Sequence, residues 1–308
     1  MSDRIDIEFA GEDGTTLRGW LYLPAGSGAG PRPAITLAHG FAAVKEHGLD
    51  RFANAFAEAG FVVMVHDHRG FGASDGLPRQ DIDPWRQIAD WRCEISYLEN
   101  RPEADTKRIG IWGTSYAGGH AITLGATDRR VACVVAQVPT ISGFEQGRRR
   151  VSPDATAMLE AAFADDERGA LKGEPRRRTT IVSSDPDEPA AYRSLDAIAF
   201  YQQERAGGSW TNDVTLRSTR AARSYEPRVW VPRVSPTPLL MVVAMQDVIT
   251  VTDLALSAYE TALQPKRLVT IHGGHFAPCL EAFDVARKAA IEWFVEHLRP
   301  LGGLSTYR

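Results

Sequence analysis

The chain has 308 residues with 35 Lys and Arg against 39 Asp and Glu, and its formal charge of -4 sets a strongly basic nucleic-acid binder aside. Hydrophobic residues are 44% and charged residues 24%, so a chain this long buries roughly three quarters of the surface its unfolded form exposes, with room for one large core or a core plus an inserted module.

In chain order, residues 16–23 alternate well enough for a strand, and the Gly- and Pro-rich 24–33 reads as a turn. The first two strands are expected as an antiparallel pair. Residues 34–38 form a short apolar strand ending at His39-Gly40, followed by a helix over 50–59 that turns Phe52, Ala53, Phe56 and Ala57 inward and stops at Gly60. The β-prone 61–65 leads through His66-Asp67-His68-Arg69-Gly70 and a Gly-rich loop to a helix over 84–100. A strand over 107–112, a sharp turn over 113–119 and a small-residue helix to about 126 make a third unit. Residues 131–136 and 239–244 are further strands without polar alternation. Strands buried on both faces and separated by helices mean an α/β fold, a mostly parallel sheet with helices on each side.

Between Pro139 and Arg233 this rhythm fails over a length too great for a simple connection. Residues 1–138 and 234–308 are therefore expected to form the core, and 139–233 a partly helical cap or lid at the C-terminal edge of the sheet, with helices at 155–163 and 194–204. The segment also carries Arg148-Arg-Arg150, Arg176-Arg-Arg178, a turn cluster over 184–189 and the polar Gly207-Gly-Ser209. A helix over 251–262, a strand over 267–271 and a closing helix over 283–298, with Ala286, Ala290, Ile291 and Phe294 on its apolar face, restore the α/β order.

Three widely separated cysteines, Cys93, Cys133 and Cys279, lack the spacing of a zinc site or disulfide scaffold. The opening MSDRIDIEFAGEDG has no basic flank followed by an apolar core, and no window approaches the roughly 20 apolar residues that cross a bilayer. The expectation is a cytoplasmic chain with no membrane span, and an assembly, if formed, is expected to be a two-fold homodimer.

The segment Ile109-Gly-Ile-Trp-Gly-Thr-Ser-Tyr-Ala-Gly-Gly-His120 carries the chemistry, because a strand runs there into a serine held by small residues before a helix begins. Such a turn exposes the Ser115 hydroxyl while the helix N-terminus offers backbone N–H groups to an oxyanion. Ala117 stands at the last position of the usual G-x-S-x-G pattern, and the plainer reading makes Ser115 a helix cap. Asp247 and His275 lie just beyond the strands at 239–244 and 267–271, so Ser, Asp and His follow in chain order at the C-terminal ends of three strands, where open α/β sheets place their sites. His275 then takes the Ser115 proton during attack on an acyl carbonyl and returns it to the leaving group, while Asp247 orients the imidazole. Phe41 and Tyr116 are the expected backbone oxyanion donors. Phe41, Tyr116, Trp210, Tyr225, Trp230 and Phe276 are candidates for the substrate pocket.

Other groups have plainer readings. His272 and His39 are assigned structural roles, and Cys279 reads as a buried spectator thiol. His66 and His68 lack a further cluster to complete a metal site, with Asp67 and Arg69 expected to brace their loop. The Gly-rich 70–76 is followed by no phosphate-binding lysine, so no metal and no cofactor are expected. The two Arg triplets read as a solvated face diluted by Asp165-Asp-Glu167, Glu174 and Asp185, with an anionic substrate or carrier as the other reading.

Taken together, these motifs resemble the α/β-hydrolases: His39-Gly40-Phe41 matches the oxyanion loop, His66-Asp-His-Arg-Gly-Phe-Gly-Ala-Ser-Asp-Gly76 the loop after the fourth strand, and Gly113-Thr-Ser-Tyr-Ala-Gly118 the nucleophile elbow. Asp13-Gly-Thr-Thr-Leu-Arg-Gly19, Trp210-Thr-Asn212, Thr215-Leu-Arg-Ser218 and Ser235-Pro-Thr-Pro238 are similar to bacterial and fungal proteins near the X-Pro dipeptidyl-peptidase-like hydrolases and polyketide-releasing transferases. The resemblance implies acyl chemistry on a small-molecule ester, lactone or thioester. The leading expectation is a serine carboxylic-ester hydrolase acting on an ester or lactone through an acyl-enzyme. Its alternatives are a thioesterase or acyltransferase of secondary metabolism, and a non-catalytic ligand-binding protein of the same fold.

Overall fold

Apolar runs with little polar alternation become the interior strands of the structure, a computed structural model that describes residues 3–26, 30–185, 187–203 and 210–299. In chain order the first half comprises β1 (Asp3–Ala10), β2 (Thr16–Leu23), β3 (Arg32–Ala38), α1 (Leu49–Glu58), β4 (Val62–His66), α2 (Pro84–Glu99), β5 (Ala104–Thr114), α3 (Tyr116–Thr127) and β6 (Val131–Gln137). There follow α4 (Gly143–Arg150), α5 (Pro153–Leu171), β7 (Arg178–Val182), β8 (Ala190–Tyr192), α6 (Leu195–Tyr201), β9 (Asp213–Thr215) and α7 (Leu216–Arg223). The chain closes with β10 (Leu239–Ala244), α8 (Thr252–Thr261), β11 (Lys266–Ile271) and α9 (Phe283–Leu298).

Eight strands pair in the order β1-β2-β4-β3-β5-β6-β10-β11. The β1–β2 and β2–β4 pairs are antiparallel and the remaining five are parallel. Helices cover both faces, so β4 and β10 are buried at every position and read in the sequence as unbroken apolar runs. One layer of core packs Trp91, Ile88 and Ile122 against one face of the sheet. The other packs Phe52, Phe56, Trp112 and Phe294 against the opposite face. Among the described residues no helix is long and apolar enough to cross a membrane.

Several expectations change in detail. The strand Asp3–Ala10 went unread because it is an edge strand: four of its first five positions are charged or exposed, and its pattern buries only Ile7 and Phe9. The turn expected over 113–119 is tighter, with strand through Thr114, helix from Tyr116 and Ser115 alone between them. In α9 the inward residues include Trp293 and Leu298, whereas Ile291 is half-buried. Between β6 and β10 the chain is helical as expected, but α4 and α7 are additional, and α5 runs on to Leu171 through Ala, Glu and Arg, which favour helix without marking an apolar face. A small sheet in the order β8-β7-β9 also lies there, built from strands of three to five residues too short to show a period. Of the expected helix 194–204, residue 204 lies outside the described residues, as does all of Gly207-Gly-Ser209 and residue 186 of the turn cluster.

Gly110, in the middle of β5, is where α9 closes on the sheet: an added Cβ would sit 2.7 Å from Phe294 Cε1 and 2.8 Å from Leu298 Cδ1. Gly110→Ala is expected to lower stability by about 1–3 kcal/mol, the range for overpacking a filled core. A denaturant midpoint within error of the unsubstituted chain would show that α9 yields freely.

Candidate functional site

Ser115 owes its exposure to a backbone that few residues adopt. Its φ of 57° and ψ of -117° turn the chain from β5 into α3, and its N–H donates to Gln137 O at 2.8 Å on the neighbouring strand. A serine side chain pays steric strain in this region, which here lifts its hydroxyl above the sheet. Gly113 makes the turn possible, because a Cβ at that position would lie 2.1 Å from Ala117 O. The methyl of Ala117 is itself fully buried in the core. The Ser115 side chain caps nothing, so the helix-cap reading fails.

The other two chemical residues arrive from neighbouring strand ends. Beyond β10, Asp247 accepts hydrogen bonds from the Ile249 and Thr250 N–H groups on Oδ1, at 2.8 and 2.9 Å. Its Oδ2 accepts from Thr250 Oγ1 at 2.7 Å and lies 2.8 Å from His275 Nδ1. Beyond β11, His275 turns its Nε2 to within 2.9 Å of Ser115 Oγ. The carboxylate takes the Nδ1–H, which leaves Nε2 as the acceptor for the serine hydroxyl. Burial alone would raise the Asp247 pKa; the charge and hydrogen bond of His275, with Thr250 and the Ile249 amide, outweigh it and bring the carboxyl down to about 2. A carboxylate locked in its charged form next to a serine-bound imidazole is suited to general-base activation of the hydroxyl.

Phe41 follows β3 and Tyr116 follows β5, two adjacent strands at which the order of the sheet reverses direction. Their rings meet edge to face at 5.8 Å. Two side chains that sequence reading missed or misplaced hold the Phe41 loop from outside: Tyr201 Oη donates to Phe41 O at 2.6 Å, and Trp210 Nε1 donates to Ala42 O at 2.9 Å. Tyr201 stacks on both Tyr192 and Trp210. Thr250, the third support of Asp247, has no sequence signal beyond lying three residues after it.

Ser115 lies on the wall of a cavity of about 350 Å³, lined by Phe41, Tyr116, Val151, Leu159, Leu216 and Ile249 among mostly apolar groups. Of the expected pocket residues, Phe41 and Tyr116 line it, and Phe276 lines a small recess that also reaches Ser115, with His275, Phe200 and Cys279. Trp210, Tyr225 and Trp230 do not line the cavity. Trp210 is drawn to the Ala42 carbonyl; Tyr225 is buried with its hydroxyl 2.9 Å from His120 Nδ1; Trp230 lies under the Arg233 guanidinium at 5.5 Å. Each ring meets a polar or cationic group outside the cavity. Cys279 is half-buried rather than buried, with Gln137 Nε2 3.6 Å from its sulfur.

The other histidines singled out in the sequence meet partners away from Ser115. His39 sits between the His68 N–H, which donates to its Nε2 at 3.3 Å, and Gly40 O at 3.0 Å, and burial holds its pKa down to about 4. His66 Nδ1 lies 2.7 Å from Glu94 Oε2 and its Nε2 3.2 Å from His68 Nδ1. Asp67 braces the loop through Lys45 Nζ at 2.5 Å and the Ala73 N–H, whereas Arg69 pairs with Asp90 and Asp13. Exposed His272 lies 3.4 Å from Gln246 Nε2. Among the described residues no group of three or more His, Cys, Asp or Glu could hold a metal ion.

Against known proteins, the model of the family described as X-Pro dipeptidyl-peptidase (S15 family) matches residues 13–277. Thiohydrolase aneE of Aspergillus aculeatus is 31% identical over 272 residues, 85% of this chain and 83% of its own length. Polyketide transferase grgF of a Penicillium species is 32% identical over 273 residues, 88% of this chain and 89% of its own. The crystal structure of the α/β hydrolase GrgF from a Penicillium species matches with a TM-score of 0.83 at 28% identity, covering 96% of this chain and 99% of that one.

Proposed function

Because the chain belongs to the X-Pro dipeptidyl-peptidase (S15) family of α/β-hydrolases, we propose that it is a serine thioesterase or acyltransferase that takes an acyl group from a thioester and passes it to water or an alcohol. Family and relatives together support a hydrolase- or acyltransferase-type reaction on an ester or thioester, and the chain is an enzyme of that type. Oxygen-ester or lactone hydrolysis, the leading expectation from the sequence, gives way to its alternative, since a thiohydrolase and a polyketide transferase are among the similar proteins. Peptidase action is not proposed: among the described residues no Asp or Glu lines the cavity to hold the amino terminus of a peptide.

One observation carries the reading: Ser115, His275 and Asp247 form a hydrogen-bonded chain that ends at the wall of an apolar cavity. In the proposed reaction Ser115 Oγ attacks the thioester carbonyl as its proton passes to His275 Nε2. Negative charge collects on the carbonyl oxygen, where the Phe41 and Tyr116 N–H groups would meet it. Collapse breaks the C–S bond, and the leaving sulfur takes the proton from His275. Water or an alcohol then gives its proton to His275, attacks the acyl-enzyme, and frees Ser115 as the proton returns to Oγ. Residues 139–233 act as the cap in this reading, and the apolar groups they add to the cavity, such as Val151, Leu159 and Leu216, favour an acyl chain over water.

The test is a matched acyl series presented as N-acetylcysteamine thioesters and as phenyl esters, with products followed in water and with added alcohol. The thioester member is expected to lead by about tenfold or more in kcat/KM, a difference of about 1.4 kcal/mol in the barrier. Equal turnover of the oxygen esters would return the chain to general ester hydrolysis.

A further inference from the structure

Three arginines from separate segments line the cavity that opens on Ser115: Arg150 at the end of α4, Arg193 after β8 and Arg223 at the end of α7. Among the described residues no Asp or Glu lines it, in a chain whose formal charge is -4. Cations at helix C-termini have an ordinary origin in the helix dipole, and that origin suffices for Arg148 and Arg149, which pair with Glu145 and Asp253. It does not account for the convergence of Arg150 and Arg223 on one cavity. Among the described residues neither makes an ion pair; Arg223 is half-buried, whereas Arg150, like Arg193, keeps part of its surface exposed at the cavity mouth. Arg150 is held at the wall by donating to Ala191 O at 2.8 Å and by lying 5.0 Å over the Tyr192 ring. Arg193 donates to the carbonyls of Asp185 and Glu188, and the Glu188 carboxylate is occupied by the Thr180 and Ser183 hydroxyls at 2.6 Å each.

A guanidinium without a carboxylate partner matches a carboxylate or phosphate with paired N–H donors, and one partly withdrawn from water, as Arg223 is, attracts an anion more strongly than the same group in bulk solvent. We propose that the cavity recognises an anionic group carried by the substrate, a carboxylate or phosphate held by Arg150 and Arg223 with Arg193 adding to the field. The inference rests on the reading of Ser115 as the nucleophile of the same cavity. That anion has two sources, the far end of the acyl group or the phosphate of a carrier arm on the leaving group.

Two kinetic arms separate the sources. In the first, half-esters of dicarboxylic acids from succinate to sebacate, activated as p-nitrophenyl esters, are compared with their methyl-capped diesters. In the second, one neutral acyl group is compared as its coenzyme A and N-acetylcysteamine thioesters. The anionic member is expected to lead by about tenfold in kcat/KM in one arm, which names the source. That lead should shrink about tenfold in Arg150→Gln/Arg223→Gln and fall as salt screens the field. The single substitutions Arg150→Gln and Arg223→Gln and the salt series carry the same test should the double variant not fold. Neutral substrates doing as well in both arms, or a preference that survives loss of both arginines, overturns the inference. Calorimetry on Ser115→Ala with monomethyl against dimethyl dicarboxylates, and with coenzyme A alone, reads the anion site without turnover. Tighter anion binding in a chain that turns over nothing would sink the acyl-transfer reading and keep the site; turnover without anion preference would do the reverse.

Discussion

Ser115→Ala is expected to lower kcat for thioester cleavage by about 10⁴- to 10⁶-fold and to abolish covalent labelling by a fluorophosphonate, read by intact mass and peptide mapping. The size follows from the role of the hydroxyl: without it His275 has nothing to activate at the carbonyl, and only cavity binding and the backbone donors remain. The fold should survive, because the side chain caps no helix and its hydrogen-bond partner is His275 Nε2. A label that persists on another residue, Cys279 in the adjoining recess above all, would place the nucleophile elsewhere.

Asp247→Asn is expected to cost about 10⁴-fold in kcat near neutral pH. An amide in place of the carboxylate offers no charge to the imidazolium, and it favours the tautomer whose Nε2 carries a proton and cannot accept one from Ser115. The Ile249 and Thr250 N–H groups and the Thr250 hydroxyl that hold the carboxylate leave the backbone little reason to move. The same residue has a signature in stability. Its pKa falls from an ordinary 3.8 when unfolded to about 2 when folded, so its contribution is full above about pH 4 and is lost as pH drops toward 2. That shift, the net of burial against His275, Thr250 and the Ile249 amide, corresponds to on the order of 2 kcal/mol over that window, and acid titration of the substituted chain should lack that component. An unchanged acid unfolding curve, or a kcat within tenfold of the parent chain, would remove Asp247 from its assigned role.

The motifs left a clear imprint at strand ends and a faint one elsewhere. Ser115, Asp247 and His275 each stand within four residues of the end of an apolar strand, and parallel strands deliver their C-terminal loops to one edge whatever else the chain does. Position in the chain therefore sufficed to bring them together. The arginines differ: Arg148, Arg149 and Arg150 are identical in sequence context, yet Glu145, Asp253 and the cavity each claim a different one. Trp210 and Tyr225 are likewise decided by partners 168 and 105 residues away, Ala42 and His120.

Residue order alone was enough for the parallel sheet and for the three residues at its edge, because buried strands and elbow turns are specified by local composition and steric limits. The cavity wall, the anchoring of the Phe41 loop by Tyr201 and Trp210, the support of Asp247 by Thr250 and the choice of which arginines line the cavity were settled by tertiary packing. Each depends on which polar group finds a partner first among surfaces far apart in the chain, a competition that local periodicity does not record.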